Sequence, residues 1–195
     1  MNEREELFGI ARVTAPAIVF VASQLLLKKI GCLFCADAVR EDVISSAVTC
    51  ALLPWTVWAY RRRECRPRPE SRALRLAGMV LSLALTLGLV LCLCRGVPDI
   101  DAAVRVLGWG VIGPINEEIV YRGFVYQRGR KCLPFSGAVL LSALMFAAGH
   151  ATAVQFVAAL IAAVLFAAVY ERSGRLIVPI MLHIGWNLAA CISEL

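Results

Sequence analysis

The chain has 195 residues, 60% of them hydrophobic and only 17% charged, with a formal charge of +6. Its mean hydropathy of +0.75 lies well above that of soluble domains and places it in a bilayer. The positive balance is not read as a nucleic-acid footprint, because many of the arginines stand in one block, 61–72, between two apolar runs, the pattern of a cytoplasmic loop.

A membrane span needs ~20 mostly apolar residues, and runs near that length follow one another along the chain. The first is 10–27, behind a start, Met-Asn-Glu-Arg-Glu-Glu, whose mixed charge is unlike the basic region of a cleavable signal, so this span is expected to stay. The second is 43–60, and the third, 76–94, carries no charge at all. The fourth is 102–126. The fifth, 135–149, is short and extendable past His150, and the sixth and seventh are 153–170 and 176–192. The expected fold is therefore all-α, a polytopic membrane protein of about seven transmembrane helices, without internal repeats or a separate soluble domain. Lysine and arginine set the orientation. The 61–75 block, the turn with Arg128, Arg130 and Lys131, and the turn with Arg172 and Arg175 fall on one side if the spans alternate. The N-terminus is then expected in the cytoplasm and the C-terminus outside a cell membrane crossed several times. Lys28 and Lys29 dissent, at the outer end of the first span, where long side chains reach the interface.

Eight cysteines invite a disulfide reading, yet Cys50, Cys92, Cys94 and Cys191 lie in apolar runs and are expected to pack as small hydrophobes. Cys32 and Cys35 make the one close pair, on the outer, oxidising side of the expected topology. A lone Cys-x-x-Cys has no second pair to complete a zinc site, so the pair is read as a feature of the loop.

The first three runs hold no acid and no histidine, whereas the last four hold Glu117, Glu118, Arg122, His150, His183 and Asn187. This divides the chain into motif-free helices over 1–100 and a polar-bearing core over 101–195. A centrally placed charge costs about 2.5–3.5 kcal/mol on insertion scales, so such groups point to function, with a structural ion pair between helices as the bland alternative. Glu118 and Arg122 are four apart, on one helical face, and able to pair, while Glu117 points about 100° away. Glu117 is then the unpaired carboxylate, in a dry setting, suited to accept a proton from water. Gly113-Pro114 just upstream predicts a helix start or break. His183 and Asn187 share a face, so an imidazole and an amide donor enter one cavity, where two donors can hold an oxyanion. His150 is placed to orient a water beside Glu117. At about 1.5 Å per residue from the cytoplasmic ends, Glu117 lies about 15 Å deep, His150 about 22 Å and His183 about 12 Å, so one cavity can hold them if tilt or a broken helix raises His150.

Glu117-Glu118-x-x-x-Arg122 with Gly123, then Phe146-x-x-x-His150, then His183-x-x-x-Asn187 resemble the three ordered motifs of the CPBP family, the CAAX-processing and bacteriocin-processing intramembrane proteases, also called ABI. The resemblance covers roughly 104–192. It implies a helical core around a cytoplasm-accessible cavity and peptide hydrolysis by an activated water. In that scheme Glu117 is the general base, His150 helps position the water, His183 and Asn187 stabilise the oxyanion, and Glu118 and Arg122 are support. The compact length suggests a bacterial member, for which a prenylated substrate is not expected.

No His-Glu-x-x-His or Glu-x-x-His run is present, which favours a glutamic-type enzyme without a cofactor over a zinc-dependent version of the same protease. No Gly-x-Ser-x-Gly is present either, and neither Ser142 nor Ser173 has an evident base. The leading function is an endopeptidase that cuts a membrane-associated protein or peptide, near its C-terminus. A non-proteolytic immunity or binding protein would not need an unpaired Glu117, and a proton-coupled transporter would commonly show two related halves, whereas the polar residues here crowd into one. The partners expected are the substrate and the lipid bilayer. The substrate itself and the oligomeric state are not legible.

Overall fold

Two long helices, α1 (Glu3–Cys35) and α2 (Glu41–Arg61), occupy the first two apolar runs. The computed structural model describes residues 3–35, 41–61 and 105–193, and among these all regular structure is helical. The third run, 76–94, and the junction at 100–101 lie outside the described residues. Over 106–132 the chain forms one composite helix: a π-helical segment Val106–Ile112, α3 (Gly113–Glu118), a second π-helical segment Ile119–Tyr126, and α4 (Gln127–Cys132). Then come α5 (Phe135–Ala147), α6 (Ala153–Ser173) and α7 (Ile177–Ser193).

Gly113-Pro114 opens an α-helical stretch, as expected of a proline in the first helical positions, but does not interrupt the composite helix. The hydrogen-bond ladder changes register there: the Gly113 N–H bonds to the Gly108 carbonyl, five residues back, and Pro114 opens the α-helical stretch. The register change falls at the residue with no N–H to contribute, so the helix absorbs the proline. Nor does the fifth run extend past His150. It ends at Ala147, the chain turns, and Thr152 caps α6 in a capping box with Gln155. At 13 residues α5 is about 20 Å long, short of the ~30 Å apolar core of a bilayer. Among the described residues two segments are long and apolar enough to cross a membrane, Ala11–Ile30 and Ala153–Ser173, while Ile44–Tyr60, Phe135–Ala147 and Ile177–Cys191 are shorter apolar helices. The outward face of α6 shows Val154, Val157, Ile161 and Leu165, all exposed and spaced at helical intervals, as a lipid-facing stripe requires.

The composite helix is central, with apolar cores on both sides. On one side Val13, Ala17 and Phe20 of α1 and Leu52 of α2 pack with Val120, Tyr121 and Val125, and with Ala143, Phe146, Ala147, Ala159 and Ala163. On the other, Ile119, Phe124 and Tyr126 meet Ala167 and Tyr170 of α6 and Ile180, Ile184 and Leu188 of α7. Alanines recur at these contacts because small residues let helix backbones approach. Gly108 takes this furthest: a Cβ there would stand 2.7 Å from the Ser46 Cα on α2. Alanine normally stabilises a helix interior over glycine. Gly108→Ala is expected to do the reverse, lowering stability by about 1–3 kcal/mol, the usual range for overpacking, in an equilibrium unfolding titration in detergent.

Polar links tie the first two helices to the composite one. Asn116, fully buried, donates from Nδ2 to the Thr49 carbonyl at 2.7 Å and accepts from the Thr56 hydroxyl at 2.6 Å. At the other end, Arg128 donates to the Arg12 carbonyl. That carbonyl is the one Pro16 leaves without a helical donor, since proline lacks the N–H that would reach four residues back. Below it, the Tyr126 hydroxyl donates to Glu171 at 2.7 Å and Arg130 pairs with the same carboxylate at 3.2 Å. The basic turns after the composite helix and after α6 therefore share one end of the bundle, as alternating spans predict.

Candidate active site

Three segments supply the polar groups. Glu117 and Glu118 end α3, Arg122 sits one turn on, His150 follows α5 in the turn before α6, and His183 and Asn187 lie on α7. Arg122 and Glu118 pair, Nη1 to Oε1 at 2.8 Å, both side chains fully buried. The second Arg122 amino group donates to the Ala163 carbonyl of α6 at 3.1 Å, and the guanidinium lies between the rings of Phe146 and Phe166, 4.9 and 5.5 Å from their centroids. A cation held between two aromatic faces and hydrogen-bonded at both ends offsets part of its desolvation cost.

His183 is the hub. Its Nδ1 stands 2.9 Å from Glu118 Oε1, and its Nε2 stands 3.6 Å from Glu117 Oε2. Phe166 lies against the ring at 5.1 Å and Phe146 meets it edge-on at 5.5 Å. Glu117 is thus not the solitary carboxylate that the helical wheel predicts. Consecutive residues diverge by about 100° around a helix, but the two nitrogens of an imidazole also diverge, so one ring bridges both carboxylates. The two acids still differ: Glu117 is 30% exposed and Glu118 is fully buried. The Glu118 carboxylate is placed to accept a hydrogen bond from His183 Nδ1, and Nε2 faces the accessible acid.

His150 and Asn187 take less central places. His150 Nδ1 lies 3.3 Å from the Phe146 carbonyl, and its ring lies 5.1 Å from that of Phe146. Asn187 donates to the Trp109 carbonyl at 2.9 Å, so one of its two amide hydrogens is spent on the first π-helical segment. Both line a cavity of ≈130 Å³ together with His183, Phe146, Phe166 and Trp186, with Gln155 and alanines of α6 completing it. His183 and Asn187 thus enter one cavity, as their spacing predicts. Ser142 donates to the Tyr121 carbonyl at 2.8 Å, and Ser173 bonds to backbone within its own turn, so each serves as a structural hydroxyl. Among the described residues Cys32, Cys50, Cys132 and Cys191 form no disulfide with one another, and the side chain of Cys35 lies outside them.

Residues 99–189 match the family model for type II CAAX prenyl endopeptidases, Rce1-like. The match covers just under half of the chain, and over that stretch the protein is similar to the CPBP family. The matched family is one of membrane-embedded proteases that act on peptides or proteins. Comparison with curated proteins and with solved structures gave no match.

No group of three or more His, Cys, Asp or Glu side chains among the described residues is arranged to hold a metal ion. His183 turns Nδ1 to Glu118 and His150 turns Nδ1 to the carbonyl of Phe146, and each ring keeps its Nε2. No step below runs through zinc. Two contributors escape a reading of the sequence. Phe166 sits in an uninterrupted apolar helix and carries no signal of its role. Asn116 does carry one, as a buried amide inside an apolar run, but its partners on α2 are 60 and 67 residues away.

Proposed function

We propose that this chain is an intramembrane endopeptidase of the glutamic type, hydrolysing a peptide bond near the C-terminus of a membrane-associated protein or peptide. The reading places it in the cell membrane, crossing several times, with its N-terminus in the cytoplasm. The observation that carries it is the Glu117–His183–Glu118 array, with an accessible acid at Nε2 and a buried acid at Nδ1, beside a cavity.

Glu117 takes a proton from water as the water oxygen attacks the scissile carbonyl carbon. The negative charge that forms on the carbonyl oxygen is met by the second Asn187 amide hydrogen and by His183 once Nε2 is protonated. The short step from Glu117 to Nε2 supports that transfer, because Glu118 at Nδ1 stabilises the imidazolium. Collapse of the tetrahedral intermediate breaks the C–N bond, and the same proton passes to the leaving amine. One water is consumed, and an acid and an amine result. His150 orients the water from the cavity side, and Arg122 holds Glu118 in place.

Purified protein in nanodiscs, incubated with a membrane-inserting peptide library, tests this by mass spectrometry of new termini. Cut peptides are expected, at a rate unchanged by EDTA or 1,10-phenanthroline. Loss of cutting on chelation, restored by zinc, would overturn the glutamic mechanism while keeping the peptidase. A chain that cuts nothing but still binds library members at the cavity would be a binding protein instead.

A further inference from the structure

α2 lies along the composite helix in one seam, and the two run in the same direction. At one end Ser46 faces Gly108, where a Cβ would stand 2.7 Å from the Ser46 Cα, and at the other Tyr60 faces Gly123, where a Cβ would stand 2.9 Å from the ring. Between them Thr49 meets Gly113 and Thr56 reaches Asn116. The spacing of 46, 49, 56 and 60 puts these residues on one face of α2. Small residues at both ends let the backbones close up. In the middle, hydrogen bonds take over. The fully buried Asn116 amide spans two turns of α2, donating to the Thr49 carbonyl at 2.7 Å and accepting from the Thr56 hydroxyl at 2.6 Å. A planar group gripped from two turns resists both sliding along α2 and turning about the composite helix's own axis.

The next residue is Glu117. We propose that Asn116, gripped by Thr49 and Thr56, is a positioning residue for Glu117, so that α2 sets the direction in which the acid meets His183. This role presupposes the peptidase activity proposed above. Side chains reach about 5–6 Å from a helix axis, so each ~10° of turn carries a carboxylate about 1 Å around it. Glu117 Oε2 stands 3.6 Å from His183 Nε2, and a displacement of about 1 Å in a reacting group can cost about 100-fold in rate. On the far side the same stretch is held by Glu118 at His183 and by Arg122 at the Ala163 carbonyl. Those bonds belong to the site itself, and Asn116 supplies the opposing hold from outside it. Thr49 and Thr56 also lie outside 99–189, the stretch that matches the family model, so the helix that steadies the acid is not part of the matched core.

The test measures kcat and KM per folded protein for wild type, Asn116→Ala, Thr56→Val and Thr56→Ser in nanodiscs, on one cleaved membrane-inserting peptide. Asn116→Ala and Thr56→Val are expected to lower kcat about 10–100-fold and to leave KM within about two-fold of wild type, because neither residue holds substrate. Thr56→Ser keeps the hydroxyl and is expected to stay within about three-fold of wild type in kcat. Thr56→Val strands the buried Asn116 oxygen. Asn116→Ala keeps the test available if that variant does not fold, since the Thr49 carbonyl stays in the α2 ladder and the Thr56 hydroxyl can turn to the Leu53 carbonyl, 3.0 Å away. Unchanged kcat in folded Asn116→Ala reduces the clasp to a structural bond, and a raised KM at constant kcat moves it to substrate binding; either overturns the positioning role and leaves the peptidase standing. Equal losses in Thr56→Ser and Thr56→Val overturn the part given to the hydroxyl. Wild type that cuts no peptide overturns the peptidase reading, and this role with it.

Discussion

Glu117→Gln is expected to abolish peptide cleavage, by about 10³-fold or more, while the protein folds as before. Glutamine has the size and shape of the acid and keeps an oxygen and an amide within reach of His183 Nε2, so packing changes little at a site that is 30% exposed. What it cannot do is accept and return a proton. The check is mass spectrometry of protein termini in native-host membranes carrying wild type or the variant at matched expression. New termini present only with wild type identify the substrate class and make the acid essential. Unchanged termini across good coverage, with a phenotype that only wild type produces, would move binding or transport ahead of proteolysis.

Arg122→Met is expected to lower stability by about 3–5 kcal/mol, because it strands the fully buried Glu118 carboxylate without its cation. The double variant Glu118→Gln with Arg122→Met should recover much of that loss. The native pair is incompletely satisfied, with Glu118 Oε2 and Arg122 Nε lacking hydrogen-bond partners, and neutral replacements of similar volume often match such pairs. Activity should not return with stability. The double variant has no carboxylate at His183 Nδ1 to stabilise an imidazolium, so the transfer from Glu117 to Nε2 loses its support. Detergent unfolding read beside cleavage by the same preparations separates the two effects. Recovery of both together would reduce Glu118 and Arg122 to a structural ion pair.

Much of the site is legible in the order of the amino acids. Apolar runs and their lengths announce helices, and a four-residue spacing on a helix is enough to pair Glu118 with Arg122 and to put His183 and Asn187 into one cavity. The ends of helices are less legible. The fifth run reads as continuing past His150, yet Thr152 and Gln155 start a new helix with a capping box, which a scan for apolar length passes over because it is a polar, local signal. Gly113-Pro114 reads as a helix start or break, yet the ladder passes there from five-residue to four-residue bonds and carries the helix through.

By itself the sequence determined that the chain is built of apolar runs near the length of a membrane span, that the acids and histidines associated with those runs fall in the second half, and which of them share a helical face. Composition and periodicity contain that much, since both are properties of a segment and its own axis. Only the tertiary structure decided that one imidazole serves two carboxylates, that Phe146 and Phe166 clasp Arg122, that Asn116 anchors the catalytic segment to α2, and that alanines of α6 leave a hollow beside His183. Those facts depend on how far each helix is rotated toward its neighbours and how closely it approaches them. That rotation and approach are set by packing across the bundle, as at Gly108 against Ser46, and no spacing along a single helix records them.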